Sequence, residues 1–447
     1  GSFNPYPIFT VQAYQTDSGK LLASTEVVAP ASTEMGCRNC HGGCGIIAHV
    51  KDGKVVKVEG DPDSPLSHGT LCSKGLAVTQ LAYHPDRIIH PMKKVKGEWE
   101  QISWDEALET ISTKFQAVID EYGPEFIVVG QGTGRDYESH LYRFANQLGT
   151  PNVLTAGHMC YVSRVASTLV TLGNLPICDY EGGPKCIVAW GCNPQWTNPD
   201  EYKGEGFWRA YRRGARLICI DPRKGFTAKK ADLWLQLRPG TDTALAMGFH
   251  HVILEENLYD TEFVENYING WDAFKERVKE YPLEKVQEIT WVDKELIRQA
   301  ARMYAKTKPA CIHWGVPTEQ TNNCVDCTRT IAGLMAATGN LDIPGGNVLY
   351  VNPPTRTVAE FSRHKDLSRE QRAKRLGGDQ YKLGARVAFI TPKVAWESIL
   401  TGKPYPLKAG LLCGTNPIST RANASEVYEA LDKLEFMAVI DFFMTPT

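Results

Sequence analysis

The stretch KCIVAWGCNP, residues 185–194, sets the reading of the fold. A short apolar, β-rich run stops abruptly at Gly191, Asn193 and Pro194, residues that favour turns. The same theme recurs as ARLICIDPR (215–223), ACIHWGVP (310–317), FIVVGQGTG (126–134), GLLCGTNP (410–417) and FMAVIDFFMTPT (436–447). Helical stretches lie between such runs. SWDEALETISTKFQAVIDEYG (103–123) has Ser103 as N-cap, Glu106 three residues on, and Gly123 at its close. Strands alternating with helices predict parallel sheets covered on both faces. Ligands in such sheets bind beyond the carboxyl ends of the strands, so the polar residues at these ends are candidate cofactor contacts.

The chain has 447 residues, enough for two or three domains. Hydrophobic residues make up 43% and charged residues 22%, as in a globular enzyme. A net charge of -2 gives no reason to expect a nucleic-acid partner. No apolar run approaches the roughly 20 residues of a membrane helix. No signal peptide is visible at the start. The expected location is therefore cytoplasmic or, had an export signal been removed, periplasmic. Residues 353–385 are rich in charge, Arg and Pro and read as an exposed excursion.

No strand end carries a G-x-G-x-x-G in a βαβ setting, and no Walker-type loop occurs. GQGTGRD (130–136) comes near but misses the spacing. Nicotinamide and ATP enzymes are thereby disfavoured.

Thirteen cysteines are unevenly spread. CRNCHGGC (37–44) crowds three of them, and the next is Cys72 in GTLCSKG (69–75). The pattern Cys37-x2-Cys40-x3-Cys44-x27-Cys72 suits a cubane iron–sulfur cluster: one tight loop wraps three corners and a fourth thiolate returns from elsewhere. Zinc sites more often pair two separate C-x-x-C knuckles. The intervening IIAHVKDGKVVKVEGDP (46–62) alternates on both sides of Asp52-Gly53, a hairpin signal, and would carry the chain out and back. Cys324 and Cys327 form a C-x-x-C inside a helical stretch, where a core or surface role fits better than a second metal site.

The cysteine spacing, GTLCSKG, YHPDRIIHPMKKV (83–95) and WEQISWDEALETI (99–111) together resemble the large subunit of the molybdopterin oxidoreductase family, the dimethyl sulfoxide reductase superfamily. The resemblance runs from about Met35 to the last residue. It implies an α/β protein with a small N-terminal iron–sulfur domain (30–90) and two doubly wound α/β domains. One of these, 91–150 with 331–447, is discontinuous; the other spans 151–330. It also implies a C-terminal β-rich cap domain that this chain lacks, either absent or supplied by a separate polypeptide.

The implied cofactors are a 4Fe–4S cluster held by Cys37, Cys40, Cys44 and Cys72, two molybdopterin guanine dinucleotides, and molybdenum or tungsten. Lys74 matches the lysine that lies between cluster and pterin and helps pass electrons. The matching pterin-binding positions are Gly191, Asn193 and Pro194; Asp221 and Arg223; Arg238, Gly240, Thr241 and Asp242; Gly414, Thr415 and Asn416; and Asp441. Asp at a strand end can accept from guanine or ribose, while Arg, Thr and glycine N–H groups suit a diphosphate.

In TAGHMCYVSRVASTLVTLG (155–173) the residue matching the family's metal ligand is Cys160, a soft donor suited to a dithiolene-bound metal. From the residues alone, one more buried thiol like Cys178, Cys186, Cys192 or Cys219 is the better reading; the resemblance is what prefers Cys160 as ligand. Tyr161 follows Cys160 where formate dehydrogenases have histidine, which argues against formate. The segment looks more like the acetylene hydratase region, but that enzyme carries an aspartate where this chain has His41. His41, His158, Tyr161 and Arg164 are candidate catalytic groups, the histidines as proton carriers. The resemblance thus implies a two-electron oxidoreductase of anaerobic metabolism, reducing a small substrate by removing hydroxyl, oxygen or sulfur. An iron–sulfur electron-transfer subunit is the implied partner. A non-redox hydratase and a formate dehydrogenase-like enzyme are the alternatives.

Overall fold

The computed structural model describes residues 8–14, 21–28, 44–64, 67–132, 137–155, 160–194, 203–351, 358–381 and 389–447. The chain divides into two compact units, one of residues 1–157 with 354–447 and one of residues 158–353. Each is built on a four-stranded sheet, and the first is discontinuous in sequence.

In the second unit the strand order is Leu233–Leu235, Arg216–Ile220, Cys186–Trp190, Ala310–Trp314. All pairings are parallel, with Cys186 beside both Arg216 and Ala310. The chain enters at Cys186–Trp190, builds outward on one side, and returns for Ala310–Trp314 on the other, so the order reverses between these two strands. Alternation along the central strand sends Cys186, Val188 and Trp190 into one core with Phe249, Ile297 and Leu334. Ile187 and Ala189 enter another with Tyr180, Phe207 and Leu217. Apolar cores on both faces explain why the run reads as continuously hydrophobic.

The first unit repeats this plan. Its strand order is Phe436–Ile440, Ala409–Cys413, Ile127–Gln131, Val153–Leu154, again all parallel, reversing between Ala409–Cys413 and Ile127–Gln131. Val128 and Leu412 face one core with Trp396 and Val427, and Ile127, Val129 and Leu411 the other with Phe115 and Leu141. Helix Trp104–Glu121 is capped as its sequence predicts: the Ser103 side chain accepts from the Glu106 N–H at 3.1 Å.

The two compact units divide the chain at other places than the expected 150/151 and 330/331. Residues 330/331 lie within helix Cys324–Ala337, which packs in the core of the second unit. Strand Val153–Leu154, beyond residue 150, pairs in the sheet of the first. The second unit extends to 353 because Asn347–Leu349 pairs antiparallel with Pro176–Cys178.

The expected exposed excursion is in part packed. Asn146 Nδ2 donates to Ser362 O at 2.7 Å, the Leu376 N–H to Asn152 Oδ1 at 3.1 Å, and Lys374 pairs with Glu125 at 2.7 Å. Leu367 and Leu376 are buried. Apolar residues spaced among the charges anchor the segment, a pattern that composition alone averages away.

Near the start, Ile46–Lys51 and Lys54–Gly60 form the expected antiparallel hairpin, with Asp52 and Gly53 at φ 48° and 73° in its turn. The Asp61 N–H donates to Gly45 O at 3.0 Å and the Gly69 N–H to Asp61 O at 2.8 Å. Asp61 therefore ties the residue after Cys44 to the stretch leading into Cys72. A short helix, Ser73–Leu76, begins at once with Cys72 as its N-cap.

Candidate active site

The carboxyl end of each parallel sheet carries the same backbone arrangement. In the second unit Gly191, at φ 60°, follows the central strand and donates its N–H to Ile220 O at 2.8 Å. Across the point of strand reversal, the Gly315 N–H donates to Trp190 O at 2.8 Å. A Cβ on Gly315 would lie 2.0 Å from Gly191 O. In the first unit Gly414, at φ 53°, donates to Ile440 O at 2.8 Å. The Gly132 N–H donates to Cys413 O at 3.1 Å, and a Cβ on Gly132 would lie 2.1 Å from Gly414 O. Real Cβ atoms do not approach backbone oxygen so closely, so the two crossings require glycine.

The side chains around each crossing also correspond. Gly191-Cys192-Asn193-Pro194 matches Gly414-Thr415-Asn416-Pro417, and Ile220-Asp221 matches Ile440-Asp441. Both aspartates are half-buried and accept backbone N–H groups just after them: Asp221 Oδ1 from Arg223 at 2.8 Å, Asp441 Oδ1 from Phe442 at 2.7 Å. Both asparagines hold neighbouring side chains, Asn193 Oδ1 accepting from Thr227 Oγ1 at 2.9 Å and Asn416 Oδ1 from Thr447 Oγ1 at 2.7 Å. A concave cleft in the second unit is lined by Cys192, Asn193, Cys219, Asp221, Arg223, Gly225, Thr227 and Ala228. Arg223 is exposed at its rim. A strand-end carboxylate, Asp221, and an exposed guanidinium, Arg223, are groups that suit a ligand bearing a ribose or purine and a diphosphate. The glycine crossing, the asparagine and the strand-end aspartate occur twice.

The RPGTD segment is more mixed. Arg238 is exposed, with its guanidinium 5.0 Å above the Trp291 ring. Gly240 has φ 82° and the Thr241 hydroxyl donates to Arg238 O at 2.6 Å, so this is a tight turn. The Asp242 carboxylate is buried and accepts from Trp190 Nε1 at 2.8 Å. Burial raises its pKa against the pull of that hydrogen bond. One of its oxygens thus braces the last residue of the central strand.

Cys160 is half-buried, two residues ahead of helix Val162–Leu172, and Tyr161 is that helix's N-cap. Arg164, in the first turn, forms an ion pair with Glu319, whose side chain is fully enclosed. Its guanidinium also stacks 4.9 Å over Trp314. Burial pushes the Glu319 carboxyl up to about 7, with Arg164 opposing the shift. No sequence motif marks Glu319. The corresponding Gly-x-Asn-Pro and Ile-Asp pairs, by contrast, become visible when the two halves of the chain are laid against each other. His158 lies outside the described residues, as do Cys37, Cys40 and His41. Cys44 and Cys72 are half-buried, and Lys74 is exposed in the short helix that Cys72 caps.

Cys324 and Cys327 open helix Cys324–Ala337, and burial pushes the Cys327 thiol up to about 12. Among the described residues, no three His, Cys, Asp or Glu side chains are grouped to hold a metal ion.

Two family models match the chain. Residues 87–447 match the molybdopterin oxidoreductase model and residues 33–84 the molybdopterin oxidoreductase Fe4S4 domain. The chain belongs to the molybdopterin oxidoreductase family. Its cofactors are a 4Fe–4S cluster and molybdopterin carrying molybdenum or tungsten. Acetylene hydratase of Syntrophotalea acetylenica is 33% identical, over 92% of this chain and 60% of its own length. Formate dehydrogenase H of Escherichia coli is 31% identical, again over 92% of this chain and 60% of the relative. The solved structure of acetylene hydratase from Pelobacter acetylenicus superposes with a TM-score of 0.84 at 32% identity, covering 92% of this chain and 60% of that one. The chain therefore spans about 60% of the length of these relatives.

Proposed function

We propose that this chain is the cofactor-holding part of a two-electron oxidoreductase that reduces a small substrate by removing hydroxyl, oxygen or sulfur. The observation that supports it best is the doubled strand end, Gly191/Gly315 with Asp221 in one unit and Gly414/Gly132 with Asp441 in the other. Two such cradles suit two molybdopterin guanine dinucleotides on one metal. When bound, the metal supplies two-electron redox chemistry.

The residues of the chain have separate tasks in this reading. Asp221 and Asp441 accept from the guanosine ends, and Arg223 and Thr241 hold diphosphate. The remaining predicted contacts, Asn193, Pro194, Arg238, Gly240, Asp242, Thr415 and Asn416, shape the surrounding loops. Cys160 donates its thiolate to the metal. His158, Tyr161 and His41 are the candidate substrate groups in this reading, since a histidine can hold and deliver the proton that reduction consumes. Cys37, Cys40, Cys44 and Cys72 hold the cluster, and Lys74 lies on the electron path toward a pterin. The electrons come from an iron–sulfur partner subunit.

A second reading, a non-redox hydratase, is favoured by the likeness to acetylene hydratase. Metal, pterin and iron analysis of the purified protein tests the shared part: two pterins and one molybdenum or tungsten per chain are expected. Turnover of phenolic, sulfur-oxide and alkyne substrates with a reduced dye then separates the two. Dye oxidation matched to product supports the oxidoreductase, and product without dye oxidation overturns it.

A further inference from the structure

Glu319 is unusual among the acidic residues of the second unit. Its side chain has no solvent exposure, and its partner Arg164 is only 15% exposed. Glu319 Oε2 and Arg164 Nε are buried without a hydrogen-bond partner, so the pair is desolvated beyond what its own contacts repair. Such a pair is costly and is poor evidence of a contribution to stability. Its placement offers another reason for it.

Glu319 touches the first turn of helix Val162–Leu172 twice. Its carboxylate takes Arg164, and its backbone carbonyl accepts from Ser163 Oγ at 3.4 Å. That turn has no side-chain N-cap, and uncapped first turns open most readily. Glu319 itself sits in a closed turn, its N–H donating to Val316 O at 2.9 Å and the Thr318 hydroxyl to Gly315 O at 2.9 Å. Gly315 is bound in turn to Trp190 O. Trp314, 5% exposed, forms the floor under the guanidinium.

We propose that Glu319 is a positioning residue: through Arg164 and Ser163 it fixes the stretch that carries Cys160 against the carboxyl end of strand Ala310–Trp314. The proposal rests on the reading of Cys160 as the metal ligand. A ligand must be held to a fraction of an ångström by packing and outer hydrogen bonds, and a loop alone does this poorly. A planar guanidinium clamped between a carboxylate and an indole is a rigid tie, which a lysine could not replace.

The test is hydrogen exchange, followed by mass spectrometry, on the intact cofactor-loaded protein. The variant Arg164→Met with Glu319→Leu removes the tie without leaving an unpaired buried charge. Exchange over residues 160–166 should become about tenfold faster while strand 186–190 is unchanged, because only local opening is eased. Glu319→Gln, which keeps an acceptor for Arg164, should restore slow exchange to within about threefold. It carries the same readout should the double variant fail to accumulate, measured against Glu319→Ala. Unchanged exchange over 160–166, or equal acceleration in 186–190, overturns the proposal. X-ray absorption at the metal edge of Cys160→Ser judges the underlying reading separately. An unaltered sulfur number there removes Cys160 as ligand, while the exchange data still decide whether Glu319 positions this stretch.

Discussion

Gly132 and Gly414 cross so closely that a Cβ on Gly132 would sit 2.1 Å from the carbonyl oxygen of Gly414. Gly315 and Gly191 repeat the relationship at 2.0 Å. In both sheets the crossing lies where the strand order reverses, the place where parallel α/β sheets bind ligands.

Gly132→Ala and Gly315→Ala should each force the two strand ends apart. The expected cost is about 1–3 kcal/mol, the usual range for overpacking. Thermal unfolding checks this, and pterin content should fall in both variants. Gly225→Ala is the control: its Cβ would come no nearer than 3.6 Å to Asn193, and stability should hold.

Cys72→Ala should abolish the iron–sulfur cluster, because no other described cysteine stands at the N-cap of helix Ser73–Leu76. Iron and acid-labile sulfide per chain should drop from four each toward zero. Zinc in place of iron in the parent protein would overturn the ligand set.

Lys74→Ala should leave both cofactors bound, since the side chain is exposed. Electron transfer between dye and metal should slow by about tenfold or more if the ammonium lies on the path. Stopped-flow reduction of the metal gives the rate. Equal rates in both proteins would reduce Lys74 to a solvated surface residue.

Cys160→Ser should change the metal's paramagnetic spectrum and lower its sulfur number by one, since a hydroxyl is a harder donor than a thiolate. Pterin content should persist, because the proposed pterin contacts lie on other loops. A packed core thiol would instead lose some stability with the spectrum intact.

His250 should make the second unit sensitive to acid. Its ring is fully buried against Phe274 and bonded through Nε2 to Thr330 O, and burial lowers its pKa from 6.5 to about 4. In the unfolded chain it takes up a proton near 6.5; in the folded chain it does so only near 4. Between these values the unfolded state binds more protons, so stability is lost as pH falls from about 6.5 to about 4. The full effect is on the order of 3 kcal/mol. Denaturant titrations at stepwise pH should show this slope in the parent and a shallower one in His250→Gln.

Much of this protein is set by residues close together in sequence. Strand runs such as Cys186–Trp190, the Asp52-Gly53 hairpin turn and the Ser103 cap each depend on neighbours a few positions away, so their signals are local and legible. The cluster spacing is legible for the same reason. Tertiary structure alone decided the rest. Helix Cys324–Ala337 belongs to the second unit because its apolar face packs in the core beside Trp190 and Phe249. Asp242 turns inward because Trp190, 52 residues earlier, offers it an indole N–H. Arg164, which sequence offers as a candidate catalytic group near Cys160, is bound by Glu319, 155 residues further on. Parallel pairing places Ala310 beside Cys186 and so brings Gly315 onto Gly191. Such contacts arise only after long loops close around a sheet. Their partners carry no local pattern, because what selects them is shape and desolvation at the assembled strand ends.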